Sequence, residues 1–277
     1  MAREGMIVNE KSCLQIEVGS KTDVGCVRGN NEDSYRVVPP LNLFVLSDGM
    51  GGQTHGEMAS QIAVNITVTY CLEAASNKWV QPDGPFRADL SEKTNCLVSA
   101  AHLANRKIYE AALSNPTLAG MGATLVAAWL EDARLSLVHV GDSRAYLLRA
   151  GVLSRLTADH TLVAEQLRRG ILTPEQAGKS TMQNILIRVL GPREEVELDA
   201  SECSLVPHDV VLLCTDGLTH MVSDAEIADT LIACPSAQDA AGRLVALANQ
   251  YGGVDNVSVI VLRILGDSAE PRHRSGY

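Results

Sequence analysis

Residues 41–52 of this 277-residue chain read LNLFVLSDGMGG. An apolar run, which is typical of a buried strand, ends at Asp48, and three glycines follow within four residues. A carboxylate at a strand end, with bare glycine backbone beside it, suits a hard cation that prefers oxygen ligands. The stretch therefore predicts a buried strand that ends at a metal ligand.

Three other aspartates stand next to strand-like runs. Asp216 follows the apolar run 210–214, Asp255 precedes a run that starts at residue 257, and Asp142 lies between two runs. Acids at the ends of several strands can converge on one point in space. The pattern therefore suggests a site for more than one metal ion.

The simpler interpretation of Asp48 is a turn, because Asp-Gly is a common turn dipeptide. Asp83-Gly84 is such a turn, since it lies between prolines and follows no apolar strand. Asp48 differs because an apolar strand-like run precedes it and further glycines follow it. From local context alone, a metal ligand and a plain turn are equally open for Asp48.

Composition excludes several classes of protein. A net charge of −10 argues against a nucleic-acid surface, which needs a basic patch. No run of about 18 apolar residues predicts a membrane span, and no signal peptide is visible. The seven cysteines form no CxxC pair, so we expect free thiols in a reducing cytoplasm. The expected oligomeric state is a monomer. We predict one domain over residues 12–265, with flexible tails at 1–11 and 266–277.

Hydrophobic periodicity and turn residues predict alternating strands and helices. Strands are predicted at 14–26, 36–46, 123–130, 134–140, 144–149, 152–156, 210–214 and 256–264. Helices are predicted at 56–75, 91–114, 161–170 and 174–178, from the Ser223–Glu226 capping box onward, and at 237–251. Many strands with paired helices indicate stacked sheets covered by helices.

Seven short motifs occur in a characteristic order. They are RGNNEDS (28–34), SDGMGG (47–52), GMGAT (120–124), GDSR (141–144), DHT (159–161), TDGL (215–218) and DNVS (255–258). Together they resemble the metal-dependent serine/threonine protein phosphatases of type 2C, in their bacterial form, over residues 18–265. The resemblance implies an α+β fold, a four-layer sandwich of two packed, mainly antiparallel sheets flanked by pairs of helices.

The resemblance also implies a set of metal ligands for two Mn²⁺ or Mg²⁺ ions. These ligands are Asp33, Asp48, the Gly49 carbonyl, Asp216 and Asp255, with Glu32 and Asn256 beside them. It places Asp142 with Asp216 at a third, weaker ion. For Asp142 the alternative is an acid that organises its turn, paired with Arg144, and the two interpretations are equally open.

In such a site, a water between the two ions attacks a phosphomonoester directly. Arg28 is the candidate phosphate clamp, because a guanidinium matches phosphate oxygens in a bidentate fork. The alternative for Arg28 is a surface salt bridge with Glu32 or Asp33. The family pattern favours the clamp.

The proton donor to the leaving alkoxide is not evident. Many eukaryotic members have a histidine where this chain has Met50, and many bacterial relatives have one where it has Gln53. His55 and His160 are the remaining candidates, but an exposed position before a helix is the preferred account of His55, and capping or packing is the simpler account of His160. A water on the metals is the preferred donor.

Residues 161–190 resemble the variable flap of the family. Arg168, Arg169 and Arg188 there can meet an acidic or phosphorylated substrate surface, but solvated helix charges are an equal explanation. The prediction is a phosphatase for phosphoserine and phosphothreonine on proteins, opposing a serine/threonine kinase. The alternatives are a catalytically weak phosphoprotein-binding module and a two-metal hydrolase of small phosphoesters.

Overall fold

The computed structural model describes residues 14–51, 55–76, 80–178, 180–182 and 184–266. The predicted tail at 1–11, and residue 267 onward of the other tail, lie outside the described residues. The domain limits of 12 and 265 stay a prediction.

Two kinds of element alternate along the chain. The strands are β1 (Ile16–Asp23), β2 (Ser34–Val38), β3 (Leu43–Ser47), β4 (Gly49–Met50), β5 (Gly122–Ala123), β6 (Leu125–Glu131), β7 (Arg134–Val140), β8 (Arg144–Arg149), β9 (Val152–Arg155), β10 (Asp199–Ser204), β11 (Val210–Cys214) and β12 (Val257–Ile264). The α-helices are α1 (His55–Ala75), α2 (Glu92–Ser114), α3 (Leu162–Arg168), α4 (Pro174–Gly178), α5 (Asp216–Thr219), α6 (Asp224–Ala233) and α7 (Ala237–Gln250).

The strands form two five-stranded antiparallel sheets. One has the order β1-β12-β11-β8-β9, and the other has the order β10-β7-β6-β3-β2. Strands β4 and β5 pair separately, just beyond the end of β3. Helices α1 and α2 cover one sheet, and α6 and α7 cover the other. The predicted four-layer sandwich is confirmed.

Strand β3 shows why an unbroken apolar run is needed here. Alternate side chains of a strand point to opposite faces. Leu43 and Val45 pack with helices α1 and α2, whereas Phe44 and Leu46 pack against the opposing sheet. Both faces of β3 are covered, so all five of its residues are buried. This central strand carries the chain to Asp48.

The prediction of one strand over 36–46 is wrong. Strands β2 and β3 are separate antiparallel partners, joined through a 3₁₀ turn at Pro39–Leu41. Asn42 closes the turn with a left-handed φ of 48°. The proline pair fixes φ and lacks amide donors, so the chain reverses there rather than continuing as a strand.

Helix limits agree more closely with the predictions. Helix α2 begins after Ser91, whose side chain accepts a hydrogen bond from the Thr94 amide, and it ends before Asn115. The predicted capping box of Ser223 and Glu226 is present at the start of α6. Within the described ranges, no helix combines the length and the apolar character that crossing a membrane requires.

Candidate metal centre and active site

Both main sheets deliver acidic residues to one cavity of about 300 Å³. Asp48 follows β3 of one sheet, and Asp216 follows β11 of the other. Asp255 lies just before β12, and Asp142 lies in the turn between β7 and β8. All four line the cavity. The structure therefore brings together acids that are up to about two hundred residues apart in the sequence.

Asp33 lies beside this cavity and is buried. Its Oδ2 accepts hydrogen bonds from Thr215 Oγ1 at 3.0 Å and from Ser258 Oγ at 2.6 Å. Its Oδ1 is also buried but has no hydrogen-bond donor among the described residues. Burial, reinforced by the charges of Asp216 and Asp255, raises the pKa of Asp33 to about 7.

Asp48 is held by its backbone rather than by its carboxylate. Its amide donates to Thr124 Oγ1 at 2.9 Å, and its carbonyl accepts from the Thr124 amide at 2.8 Å. Burial raises the pKa of Asp48 well above its ordinary value, and the charges of the neighbouring acids, led by Asp33, add to this effect. The side chain is thus fixed in a strongly negative environment.

Asp216 has the same character. Its Oδ1 is buried without a hydrogen-bond partner among the described residues, and its Oδ2 lies 3.5 Å from Nδ1 of His220. Burial, followed by the charge of Asp255, raises the pKa of Asp216 to about 6. A buried acceptor without a donor is costly, so a missing positive partner is the simplest account of both orphaned oxygens.

This donor set fits hard divalent cations. It consists of carboxylate and carbonyl oxygens, without thiolate or imidazole, and such sets suit Mg²⁺ and Mn²⁺. Divalent ions would satisfy the orphaned oxygens of Asp33 and Asp216 and would offset the mutual repulsion that raises the pKa values. The ligand roles of the individual residues stay predictions.

Gly49 is required by close backbone packing. Its amide donates to the Glu32 carbonyl at 3.2 Å, and a Cβ at this position would overlap the carbonyl of Gly56 in α1. Asn256 holds the other side of the Glu32 segment, since its Oδ1 accepts from the Glu32 amide at 2.8 Å. Asn256 also donates to the carbonyls of Val24 and Asn30, each at 2.9 Å. Glu32 and Asn256 therefore build the frame around the acids.

Arg28 lies at the mouth of the cavity with its side chain 53% exposed. The alternative of a salt bridge with Glu32 or Asp33 is wrong, because Arg28 Nη2 donates to Asp255 Oδ2 at 2.7 Å. This hydrogen bond raises the pKa of Arg28. Asp255 therefore orients a guanidinium beside the cavity and leaves its other donors available.

Asp142 does not pair with Arg144, so the pairing considered in the turn-organising alternative is wrong. Arg144 donates through Nε at 3.0 Å and Nη2 at 2.7 Å to Asp159, 15 residues further on. Burial, together with the charges of Asp216 and Asp159, raises the pKa of Asp142 to about 7. Asp142 thus belongs electrostatically with the acids of the cavity.

The two candidate histidines do not line the cavity. His55 is the first residue of α1. His160 is 5% exposed, its Nδ1 accepts from the Gly141 amide at 3.1 Å, and its Nε2 lies 3.3 Å from Asp199 Oδ2. Both ring nitrogens of His160 are therefore used within the protein. Met50 lines the cavity, whereas Gln53 lies outside the described residues.

A second group of potential ligands is absent from the sequence predictions. His139, His160 and Asp199 place ligand-type atoms within 4.8 Å of one another. The two rings are stacked, with centroids 4.7 Å apart and planes 20° from parallel. Imidazole binds an ion along its ring plane, so stacked rings direct their lone pairs side by side rather than at one ion. Arg188 Nη1 also lies 3.1 Å from Asp199 Oδ1, so a cation already occupies this group.

Sequence reasoning also missed the hydroxyl groups that hold the acids. Thr124, Thr215 and Ser258 each hydrogen-bond the backbone or side chain of a site aspartate or of its strand. Two of them stand next to the site acids in their motifs, Thr215 before Asp216 and Ser258 three residues after Asp255. A small hydroxyl residue close to an acid at a strand end could have identified these hydrogen-bond partners from the sequence.

Comparison with known proteins identifies the family. A family model for protein phosphatase 2C matches residues 29–249. The serine/threonine phosphatase stp of Listeria innocua is 36% identical over 245 residues, covering 87% of this chain and 93% of that protein. The serine/threonine protein phosphatase PstP of Mycobacterium tuberculosis is 38% identical over 252 residues, covering 91% of this chain and 46% of that protein.

Solved structures share the fold. A crystal structure of the catalytic domain of PstP in complex with two manganese ions matches with a TM-score of 0.76 and 36% identity, over 91% of this chain and 100% of that chain. Sequence and structural matches thus extend over most of the chain and include both sheets. The chain belongs to the protein phosphatase 2C family, as its motifs predict.

Proposed function

We propose that this protein hydrolyses phosphoserine and phosphothreonine on proteins with the help of Mn²⁺ or Mg²⁺. One observation carries the proposal. Four aspartates line the cavity and Asp33 lies beside it, the buried Oδ1 atoms of Asp33 and Asp216 have no hydrogen-bond partner among the described residues, and an exposed guanidinium stands at the mouth. That combination suits a metal-assisted reaction on a doubly charged phosphate.

Four aspartates and one carbonyl would hold two ions: Asp33, Asp48, Asp216, Asp255 and the Gly49 carbonyl. When bound, such ions activate water as a nucleophile at neutral pH and offset the charge of the phosphate. Asp142 with Asp216 would hold a third ion, since both residues line the same cavity.

Arg28 would orient the phosphate. Asp255 accepts one of its donors, and the remaining guanidinium N–H groups can donate to phosphate oxygens. The guanidinium thereby places the phosphorus atom next to the acids, which is a positioning effect.

The proton for the leaving oxygen would come from water rather than from a histidine. Neither His55 nor His160 lines the cavity, and both nitrogens of His160 are engaged. Met50, at the position where many eukaryotic relatives have histidine, cannot donate a proton.

Substrates and setting follow from the same site and from the relatives. The Listeria innocua and Mycobacterium tuberculosis relatives are serine/threonine phosphatases, which supports phosphoproteins as substrates here. We further propose that the protein opposes a serine/threonine kinase, acts in the cytoplasm and is a monomer. The free cysteines of the described residues are compatible with a reducing compartment.

A substrate panel tests the proposal against its two alternatives. Phosphoserine and phosphothreonine peptides and small phosphoesters would each be assayed with Mn²⁺ and with chelator. We expect Mn²⁺-dependent turnover of the phosphopeptides. Turnover of small esters alone would favour the small-phosphoester hydrolase, and phosphopeptide binding without turnover would favour the regulatory module.

A further inference from the structure

A second cavity, of about 500 Å³, adjoins the catalytic one. Met50 and Leu186 line both cavities, so the two lie side by side. We call this second cavity the flap groove. Its floor is apolar and includes Leu186, Ile187 and Val189. A polypeptide whose phosphorylated residue enters the catalytic cavity can continue into the flap groove.

Two charged walls border the flap groove. One wall is the end of α3, where Arg168 and Arg169 both pair with the single carboxylate of Glu165. The other wall is the segment 192–197, which contributes Arg193. Within the described part of the chain, no carboxylate forms a salt bridge with Arg193. Arg193 is also exposed, so its guanidinium can meet a ligand.

The flap groove is less acidic than the chain as a whole. Its arginines outnumber its carboxylates. The arginines are Arg168, Arg169, Arg188 and Arg193, and the carboxylates are Glu165, Glu195 and Glu197. The chain as a whole has a net charge of −10. Arg188 is offset by Asp199 and Glu197. Arg193, which forms no salt bridge among the described residues, is therefore the guanidinium that favours an acidic ligand.

The backbone beneath Arg193 is fixed. Asn105 of α2 is 1% exposed, and its Oδ1 accepts from the Gly191 amide at 2.8 Å. Its Nδ2 donates to the carbonyls of Arg193 at 3.1 Å and Glu194 at 2.8 Å. The floor is fixed too, since the Ile187 amide donates to the His160 carbonyl at 2.8 Å. A prearranged groove loses less conformational entropy when it binds an extended chain.

We infer that the flap groove binds the substrate polypeptide next to its phosphorylated residue, and that Arg193 contacts an acidic side chain there. This inference rests on the proposed function and narrows the substrate class to phosphoproteins with acidic flanking residues. Arg168 and Arg169 add a weaker attraction, because each shares Glu165.

The test uses a set of phosphothreonine peptides, each with a single glutamate. The glutamate is moved from peptide to peptide, up to about four residues before or after the phosphothreonine, which in an extended chain spans about 14 Å. Each glutamate peptide is paired with its glutamine counterpart. We expect one or two adjacent positions at which glutamate raises kcat/KM by about threefold to tenfold, as for a partly exposed charge pair. Arg193→Ala should abolish that preference, and Arg193→Glu should prefer lysine at the same position.

Two controls separate this inference from the proposed function. Arg193→Ala should hydrolyse p-nitrophenyl phosphate as the parent does, because that ester does not reach the groove. Arg243→Ala, on the exposed face of α7, should keep the acidic preference. Equal kcat/KM for all peptides, or an unchanged preference in Arg193→Ala, would overturn the subsite alone. Failure of the parent to hydrolyse any phosphopeptide would overturn the proposed function and the subsite with it.

Discussion

Two groups of potential metal ligands differ in how their polar atoms are satisfied. In the acid cluster, Asp33 Oδ1 and Asp216 Oδ1 are buried without a donor among the described residues. In the histidine cluster, the Asp199 carboxylate accepts from both His160 and Arg188. In the first group Arg28 pairs with Asp255, but no cation contacts these two orphaned oxygens, whereas in the second group a cation already contacts the carboxylate.

The difference shows in the pKa values as well. Burial raises the pKa of Asp33 to about 7, whereas the hydrogen bond from His160 holds the pKa of Asp199 at about 2. A raised carboxylate pKa marks a place where charge is uncompensated. Residue type alone would predict a metal site in both clusters. The unsatisfied hydrogen-bond acceptors favour a metal site in the acid cluster only.

The largest expected effect comes from removing one charge of the acid cluster. We expect Asp48→Asn, Asp216→Asn and Asp255→Asn each to lower p-nitrophenyl phosphate turnover by more than about 10²-fold, since even residues that only orient a metal ligand cost 10–100-fold. Asp229→Asn, in an exposed position on α6, is the matched control and should behave like the parent. Near-parental turnover of Asp48→Asn at saturating Mn²⁺ would remove Asp48 from the ligand set.

Arg28 gives the next largest effect. Arg28→Ala should lower kcat/KM by about 10- to 100-fold, because hydrogen bonds to a charged group are worth about 1.5–3 kcal/mol. Inhibition by inorganic phosphate should weaken in parallel, while Mn²⁺ affinity changes little. Arg243→Ala is the control. If phosphate inhibits Arg28→Ala as strongly as the parent, Arg28 only pairs with Asp255 and does not clamp phosphate.

Without metal, repulsion and burial of the ionised carboxylates in the acid cluster should lower the stability of the folded protein. The folded-state pKa values of Asp33, Asp142 and Asp216 are raised to between about 6 and 7. Protons are therefore bound more tightly in the folded state, and chelator-treated protein should lose stability as the pH rises from about 4 to about 7.

Saturating Mn²⁺ should reverse that trend. At a concentration of about a hundred times its dissociation constant, a ligand adds about 2.7 kcal/mol. We expect a larger increase in Tm near pH 7.5 than near pH 5, where protons compete for the carboxylates. Thermal unfolding with chelator and with Mn²⁺ measures both trends. An equal increase in Tm at the two pH values would contradict the assignment of these acids as ligands.

The smallest effect on activity should come from the histidine cluster. His160→Asn keeps an acceptor for the Gly141 amide but loses the contact with Asp199. We expect a loss of about 1–3 kcal/mol in unfolding free energy, as for a broken buried hydrogen bond. Activity on p-nitrophenyl phosphate and on a phosphothreonine peptide should change alike, within a few-fold.

The comparison of substrates is the informative part, because nitrophenolate leaves without a proton and a threonine alkoxide does not. His55→Ala should likewise show no peptide-selective loss. A selective loss of about 10²-fold on the peptide in either variant would identify a general acid.

Local patterns predicted the framework because they depend on short-range chemistry. The apolar run of β3 ends next to a charged residue, Asp48, and this predicts the end of the strand. The capping box at Ser223 predicts the start of a helix. Strand β10 was missed, because its sequence DASECS has no apolar alternation and its pairing with β7 is a tertiary contact.

Partners distant in the sequence could not be predicted from spacing. The salt-bridge partners considered for Arg28, as the alternative to a phosphate clamp, were the nearby Glu32 and Asp33, but Arg28 bonds Asp255, 227 residues away. Arg144 likewise selects Asp159 over its neighbour Asp142. Asp48, Asp142, Asp216 and Asp255, which line the cavity, were singled out because each stands beside a strand-like run, whereas Asp199 gave no such signal. The fold decides which charges meet, and it does so through packing of the two sheets.

Anomalous scattering from crystals grown with Mn²⁺ tests the central comparison most directly. We predict at least two manganese peaks within the acid cluster, in contact with Asp48, Asp216 and Asp255, and none between His139, His160 and Asp199. A peak at the histidine cluster, or an acid cluster without manganese at saturating concentration, would contradict the account.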